Sequence, residues 1–130
     1  MTLRVLIVDD EPLAREGVAL SLETHPDIVI VASCERGSDA VRVIRERVPD
    51  LVLLDVTMPG LSGFDVIESI GADAMPLVIF LTAHEHHALR AFRVAAIDYL
   101  LKPIDPQQLD EALERARRKI AAQAVVDALR

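Results

Sequence analysis

At 130 residues the chain has room for one ordinary domain, which can bury roughly two-thirds of the surface its unfolded form exposes. It carries a single cysteine, no tryptophan, 3% aromatic residues and a formal net charge of −7. These values exclude a disulfide framework and a base-stacking platform, and the acidic balance repels phosphate backbones. Nucleic-acid binding by this domain alone is therefore not expected. No basic n-region precedes a signal-peptide core, and no apolar run approaches membrane-spanning length. A cytoplasmic, membrane-free setting follows, with Cys34 as a small buried hydrophobe.

In chain order, Leu3 to Val8 reads as a first strand and ends in three acids, Asp9, Asp10 and Glu11. Such an acidic run is usually a solvated loop. Pro12 suits the first turn of a helix, and Leu13, Gly17 and Leu20 recur at helical spacing until about His25 and Pro26. Asp27 to Ser33 holds the β-branched run of a second strand. Ala40, Val41, Ile44 and Val48 mark a second helix, which Pro49 stops. Leu51 to Leu54 is a third strand, apolar throughout and so buried on both faces. It ends abruptly in Asp55, after which Pro59, Gly60 and Gly63 break regular structure. A short helix is expected from about Gly63 to Ile70, then a loop from Gly71 to Pro76. Leu77 to Leu81 is a fourth strand, ending in Thr82 and Ala83. Ala88, Phe92 and Ala95 mark a fourth helix. Ile97 to Leu101 is a fifth strand, ending at Lys102 and Pro103. Leu109, Ala112, Leu113, Ala116 and Ile120 draw the stripe of a fifth helix. Residues 121–130 either lengthen that helix or begin a linker.

Strand and helix alternate five times, which argues for an α/β, doubly wound parallel sheet with helices on both faces. Polar groups then stand at four strand ends along one edge: Asp9 and Asp10, Asp55, Thr82 and Lys102. Asp10 and Asp55 offer hard carboxylate oxygens of the kind magnesium takes. Lys102 and the Thr82 hydroxyl can neutralise and hydrogen-bond a phosphoryl group, and a carboxylate can be its acceptor. Each residue also has a plainer reading. Asp55 could form a turn, Thr82 could cap the next helix, Lys102 could be a surface charge, and Tyr99 could be an ordinary half-buried tyrosine. His84, His86 and His87 invite a metal site but form no organised ligand set in sequence.

The stretches Leu6-Ile7-Val8-Asp9-Asp10-Glu11, Leu53-Leu54-Asp55-Val56-Thr57-Met58-Pro59-Gly60, Leu81-Thr82-Ala83 and Tyr99-Leu100-Leu101-Lys102-Pro103 together resemble the receiver domain of two-component response regulators. The resemblance covers about residues 3 to 120. It implies a flavodoxin-like sheet of five strands in the order 2-1-3-4-5, with residues 1–120 as the receiver. It implies that Asp55 accepts phosphate from a sensor histidine kinase. Magnesium is expected on Asp10 and Asp55, with Asp9 assisting and the Thr57 carbonyl as a further ligand. Thr82 and Lys102 would bind the phosphoryl group, Thr82 and Tyr99 would form the switch, and the Lys102–Pro103 peptide would be cis. The resemblance makes the chain a phosphoacceptor that assists its own phosphotransfer and slow autodephosphorylation rather than an enzyme. Residues Ala88 to Phe92 and Ala96 to Pro103 look most like the LytTR branch, whose members carry a DNA-binding output domain after a linker. A phosphorylation-dependent homodimer is expected on the face holding Arg90, Arg93, Asp98, Arg115 and Arg117.

Two other functions compete. A haloacid-dehalogenase-type phosphohydrolase would want a second acid two residues after the nucleophile, where Thr57 stands. A receiver-like interaction domain that is never phosphorylated would not need the complete acid, threonine and lysine set. A nucleotide-binding fold is weaker, because no glycine-rich phosphate loop follows any strand.

Overall fold

The computed structural model describes residues 1–93 and 96–130, without the side chains of residues 87–89 and 92. Strands β1 (Leu3–Val8), β2 (Ile28–Cys34), β3 (Leu51–Asp55), β4 (Leu77–Thr82) and β5 (Asp98–Leu101) alternate with helices α1 (Pro12–Leu22), α2 (Gly37–Arg47), α3 (Gly63–Ile70), α4 (Ala88–Arg93) and α5 (Pro106–Ala128). The strands form one parallel sheet in the order β2-β1-β3-β4-β5, as the resemblance implies. Part of the expected fourth helix, Ala95, lies outside the described residues, as do the side chains of Ala88 and Phe92.

The sheet separates two cores because side chains alternate along a strand. Leu6, Val8, Val52, Leu54, Val78 and Phe80 pack under α2, α3 and α4. Val5, Ile7, Leu51, Leu53, Ile79 and Leu81 pack under α1 and α5. All five residues of β3 are buried, as expected of a central strand covered on both faces. The first core holds an aromatic stack, with Phe64 5.1 Å and Tyr99 6.5 Å from Phe80 between ring centroids.

The stripe expected on α5 is correct: Leu109, Ala112, Leu113 and Ala116 are buried, and Ile120 packs beside them. The stripes expected on α1 and α2 need correction. On α1 the sheet takes Val18 and Leu22, whereas Leu13 is 82% and Leu20 57% exposed. Leu13 instead lines a cleft of about 350 Å³ with Ala14, Gly17, Lys102, Pro103 and Ile104. On α2 the buried residues are Gly37, Ala40, Val43 and Ile44, and Val41 packs half-buried against the same core. Val48 is not on the stripe. It caps the helix in the left-handed region, with φ 44°, and its N–H donates to the Ile44 carbonyl. Its own carbonyl accepts from the Arg4 guanidinium, and its side chain is exposed to solvent.

Far from the strand-end acids, the Arg117 guanidinium of α5 makes two parallel bonds of 2.8 Å to Asp27 at the start of β2. That fork also lies 3.0 Å from His25 Nδ1, while His25 Nε2 meets Asp110 at 2.7 Å. The planar match holds the Asp27 carboxyl below its ordinary range. It pins α5 to the turn between α1 and β2, a contact between residues 90 positions apart.

Candidate functional site

Strands β1, β3, β4 and β5 each deliver a polar group of the site at the carboxyl end. The Asp9 N–H donates to the Cys34 carbonyl at 3.0 Å, and the Lys102 N–H to the Thr82 carbonyl at 2.8 Å. These bonds extend the ladder one residue past β1 and β5. Asp9, Asp55 and Lys102 therefore continue the alternation of Ile7, Leu53 and Leu100 on the α1/α5 side. Thr82 continues that of Phe80 on the other.

The three residues on the first side meet. Lys102 Nζ lies 2.7 Å from Asp9 Oδ2, 2.8 Å from Glu11 Oε1 and 3.5 Å from Asp55 Oδ2. Asp9 and Asp55 are buried, and Asp10 is half-buried beside them. Carboxylate oxygens of Asp9, Asp10, Glu11 and Asp55 all lie within 4.8 Å of one another. Asp9 Oδ1 accepts the Glu11 N–H at 2.9 Å. Its Oδ2 is close enough to Lys102 for an ion pair but accepts no aligned hydrogen bond from the described residues. Among the described residues Asp55 Oδ1 accepts only a long bond, 3.3 Å, from the Thr57 N–H.

The electrostatics follow from that crowding. Burial pushes the Asp55 carboxyl up to about 7, the Asp9 and Asp10 charges add to the shift, and Lys102 and the Thr57 N–H oppose it. For Lys102, burial pulls the ammonium down, but its close pairing with Asp9 and Glu11 and the charge of Asp55 outweigh burial and raise it above its ordinary range. Glu11 is held below the usual carboxylate range by the same bond to Lys102. The donor set fits a hard divalent cation. It is all oxygen, it exceeds its one lysine in charge, and it includes a buried oxygen with an unused lone pair.

Thr82 is fully buried at the end of β4, and its Oγ1 accepts the His84 N–H at 3.2 Å. The Thr82 hydroxyl is thus engaged by the backbone two residues on, ahead of the short helical turn that starts at Glu85. Tyr99 pairs with Phe80 across the sheet, is half-buried, and donates its hydroxyl to the His84 carbonyl. Thr82 and Tyr99 are both tied to the same residue, His84, from neighbouring strands. His84 and His86 lie ring to ring at 5.4 Å, and the His87 side chain lies outside the described residues. Among the described residues, the acidic cluster is the one group with metal-ligating spacing. The Lys102–Pro103 peptide is cis.

The loop after β3 owes its shape to glycine. Gly60 has φ +79°, a conformation open to glycine at little cost. Gly63 starts α3 so close to β3 that an added Cβ would stand 2.6 Å from the Asp55 carbonyl oxygen. Ser62 caps α3 through a reciprocal pair with Asp65, which anchors the loop at its far end.

Glu11 is the residue whose part sequence reading missed. It looked like a member of a solvated acidic run, and its contact with Lys102 spans 91 positions. Arg15, one helical turn on, likewise donates to the Asp9 carbonyl at 2.6 Å. Of the charges expected to meet a symmetric copy, Asp98 and Arg115 pair with each other. Arg117 is taken by Asp27 and Glu114, and Arg90 lies 4.2 Å over the Phe64 ring. Arg117 thus faces the α1–β2 turn and drops out of that set.

Comparison with known proteins agrees with this geometry. The family model of the response regulator receiver domain matches residues 5–114. The chain is 40% identical over 123 residues to the transcriptional regulatory protein BtsR of Escherichia coli, covering 95% of this chain and 52% of that protein. It is 47% identical over 118 residues to the positive alginate biosynthesis regulatory protein of Pseudomonas aeruginosa, covering 89% and 48%. The chain thus spans about half the length of these relatives. Among solved structures, the receiver domain of AraT from Geobacillus stearothermophilus superposes with a TM-score of 0.86 at 30% identity, covering 95% of this chain and 99% of that one. The response regulatory domain of mrkE from Klebsiella pneumoniae gives 0.82 at 30%, covering 90% and 97%. No helix among the described residues is long and apolar enough to cross a membrane. With its motifs, sheet order and clustered strand-end residues in agreement, the chain belongs to the response regulator receiver domain family.

Proposed function

We propose that Asp55 is the phosphoryl acceptor of a two-component pathway, served by a sensor histidine kinase. The observation that carries this reading is the placement of a buried carboxylate at the end of β3, 3.5 Å from the Lys102 ammonium and among three more carboxylates. An Asp55 oxygen forms a bond to phosphorus as the bond from phosphorus to the donor's histidine nitrogen breaks. The electron pair leaves with that nitrogen, which takes up a proton. Lys102 offsets charge on an equatorial phosphoryl oxygen, and the Thr82 hydroxyl donates to another. Asp10 and Asp55, with Asp9 assisting and the Thr57 carbonyl, would hold magnesium. When bound, it offsets the repulsion between the carboxylates and the incoming phosphoryl group. The same groups would admit water for slow autodephosphorylation.

Wild-type protein incubated with acetyl phosphate and magnesium should gain the mass of one phosphoryl group, and chelation should prevent it. Failure to label in magnesium would overturn the assignment. Asp10→Ala should weaken magnesium binding about tenfold, since so few protein ligands are available. Unchanged binding by calorimetry would remove Asp10 from the site.

Phosphate on Asp55 gives the Thr82 hydroxyl a new acceptor, in competition with its present bond to the His84 N–H. Because Tyr99 holds the carbonyl of the same residue, the change reaches β5 and the face formed by α4, β5 and α5. We assign that face to a phosphorylation-dependent homodimer. The Asp98–Arg115 pair, partly exposed on both sides, can then be exchanged for the same pair between copies. Beryllofluoride with magnesium should strengthen self-association in analytical ultracentrifugation, and Thr82→Ala should abolish that response while still permitting labelling. A phosphate can shift the balance only by the difference in its contacts with the two states, so equal dimerisation of both proteins would exclude Thr82 as the link.

We place the chain in the LytTR branch, on the sequence of β5 and α4. Residues 1–120 form the receiver, and residues 121–130, through which α5 continues to Ala128, are an extension of that helix or the start of a linker to a DNA-binding output domain that controls transcription. The names of the relatives and the share of their length that is matched support this reading, and the free, buried Cys34 suits a cytoplasmic protein. Fusing residues 1–130 to a monomeric DNA-binding reporter and scoring promoter occupancy with and without phosphodonor tests it.

A further inference from the structure

We infer that Glu11 is a positioning residue that competes with the phosphoryl group for Lys102. This rests on Asp55 being the acceptor. An ammonium has three donors and no acceptor. In this structure three carboxylates surround it, Asp9 at 2.7 Å, Glu11 at 2.8 Å and Asp55 at 3.5 Å. Among the described residues the ammonium makes aligned hydrogen bonds to Glu11 and, at the long limit, to Asp55, while Asp9 pairs with it by charge alone. A phosphoryl oxygen that recruits Lys102 therefore competes first with Glu11, which holds its short hydrogen bond.

The three are unequal. The Asp9 side chain is 2% exposed, Asp55 4% and Glu11 63%. Asp9 is buried and its Oδ1 is tied to the Glu11 N–H, so it has little freedom to turn away. Asp55 is the acceptor itself and becomes part of the ligand. Glu11, at the start of α1 and open to solvent, can swing out into water at small cost, because an exposed ion pair is weak. It holds Lys102 in the absence of phosphate and is the partner that yields. Glu11 also lies within reach of the acidic cluster. Its Oε1, however, is already committed to the ammonium, and a cation would have to break that pair.

The two roles give opposite results. If Glu11 competes for Lys102, Glu11→Gln should lower the half-saturating concentration of beryllofluoride about threefold, while magnesium affinity falls by less than in Asp10→Ala, as loss of one nearby charge without loss of a ligand requires. The acetyl phosphate concentration for half-maximal labelling rate should fall in parallel, with the saturated rate little altered. Glu11→Asp keeps the charge but shortens the reach by one methylene. It should move toward Glu11→Gln if the contact matters and stay with wild type if only net charge matters. Glu35→Gln removes a charge from the same sheet edge and has no contact with Lys102 among the described residues, so it should stay with wild type. The proposal is overturned by unchanged half-saturation in Glu11→Gln, by an equal gain in Glu35→Gln, by Glu11→Asp matching wild type, or by magnesium affinity falling in Glu11→Gln as far as it does in Asp10→Ala. Absence of any labelling in wild type would instead overturn Asp55 as acceptor.

Discussion

Asp55→Asn protein should take up no phosphoryl group and should unfold at a higher denaturant concentration than wild type at pH 8 in metal-free buffer. Loss of labelling follows from loss of the proposed acceptor carboxylate. The gain in stability follows from burial. The Asp55 carboxyl is pushed from 3.8 up to about 7 in the folded protein. Between those values the folded state holds a proton that the unfolded state has lost, so stability falls as pH rises through that window. Whatever protonated Asp55 contributes is complete below about pH 4 and gone above about pH 7. Asparagine does not titrate, so the variant escapes the cost. Its advantage should be on the order of 2 kcal/mol at pH 8 and small near pH 4. Lys102 keeps Asp9 and Glu11, so the variant does not strand a cation. Magnesium should then stabilise wild type more than the variant, because ligand binding to the folded state adds to its stability. Urea titrations at pH 4 and 8, with chelator or magnesium, check all of this. Equal stability of the two proteins at pH 8 would mean that the buried charge is already compensated.

Gly63→Val should be the most damaging single change outside the acids, and Gly17→Ala the opposite. At Gly63 an added Cβ would lie 2.6 Å from the Asp55 carbonyl oxygen, 3.1 Å from Val56 Cα and 3.2 Å from Leu54 Cγ. Two of these are backbone atoms of β3 and the loop after it, which cannot turn aside as a side chain can. Either α3 lifts from the sheet or the end of β3 shifts. The cost should be about 2–4 kcal/mol. Magnesium affinity and labelling rate should fall with it, since the displaced atoms carry Asp55. Gly17 lies in the middle of α1 with nothing within 4 Å of its added Cβ, so alanine there should add about 0.5–1 kcal/mol. Denaturation midpoints decide both. A Gly63→Val protein of wild-type stability would show that α3 has room to move away from β3.

The strands and their polar ends were legible in the sequence because burial on both faces leaves an unmistakable trace. Leu51 to Leu54 admits no polar residue, and the run stops at the residue where the sheet edge meets solvent. The same holds for Val8 before Asp9 and Leu81 before Thr82. The alternation of strands and helices, with right-handed crossovers, then leaves few arrangements, and it placed Asp9, Asp10, Asp55, Thr82 and Lys102 along one edge. Tertiary structure decided what periodicity leaves open. Leu13, Gly17 and Leu20 satisfy helical spacing as well as Val18 and Leu22 do, yet the sheet takes the second set. An apolar spacing names a stripe but not the surface that will cover it. Val48 fell off its stripe because the helix ended one residue sooner. Likewise no local pattern joins Glu11 to Lys102 or Asp27 to Arg117. Those pairs exist because parallel strands distant in the chain end side by side and because α5 returns across the sheet, bringing charges about ninety residues apart within a hydrogen bond's length. The sequence by itself determined which residues stand at the edge, through the solvation of their apolar neighbours. Only the packing decided which of them hold one another, because a charge chooses its partner by distance in space.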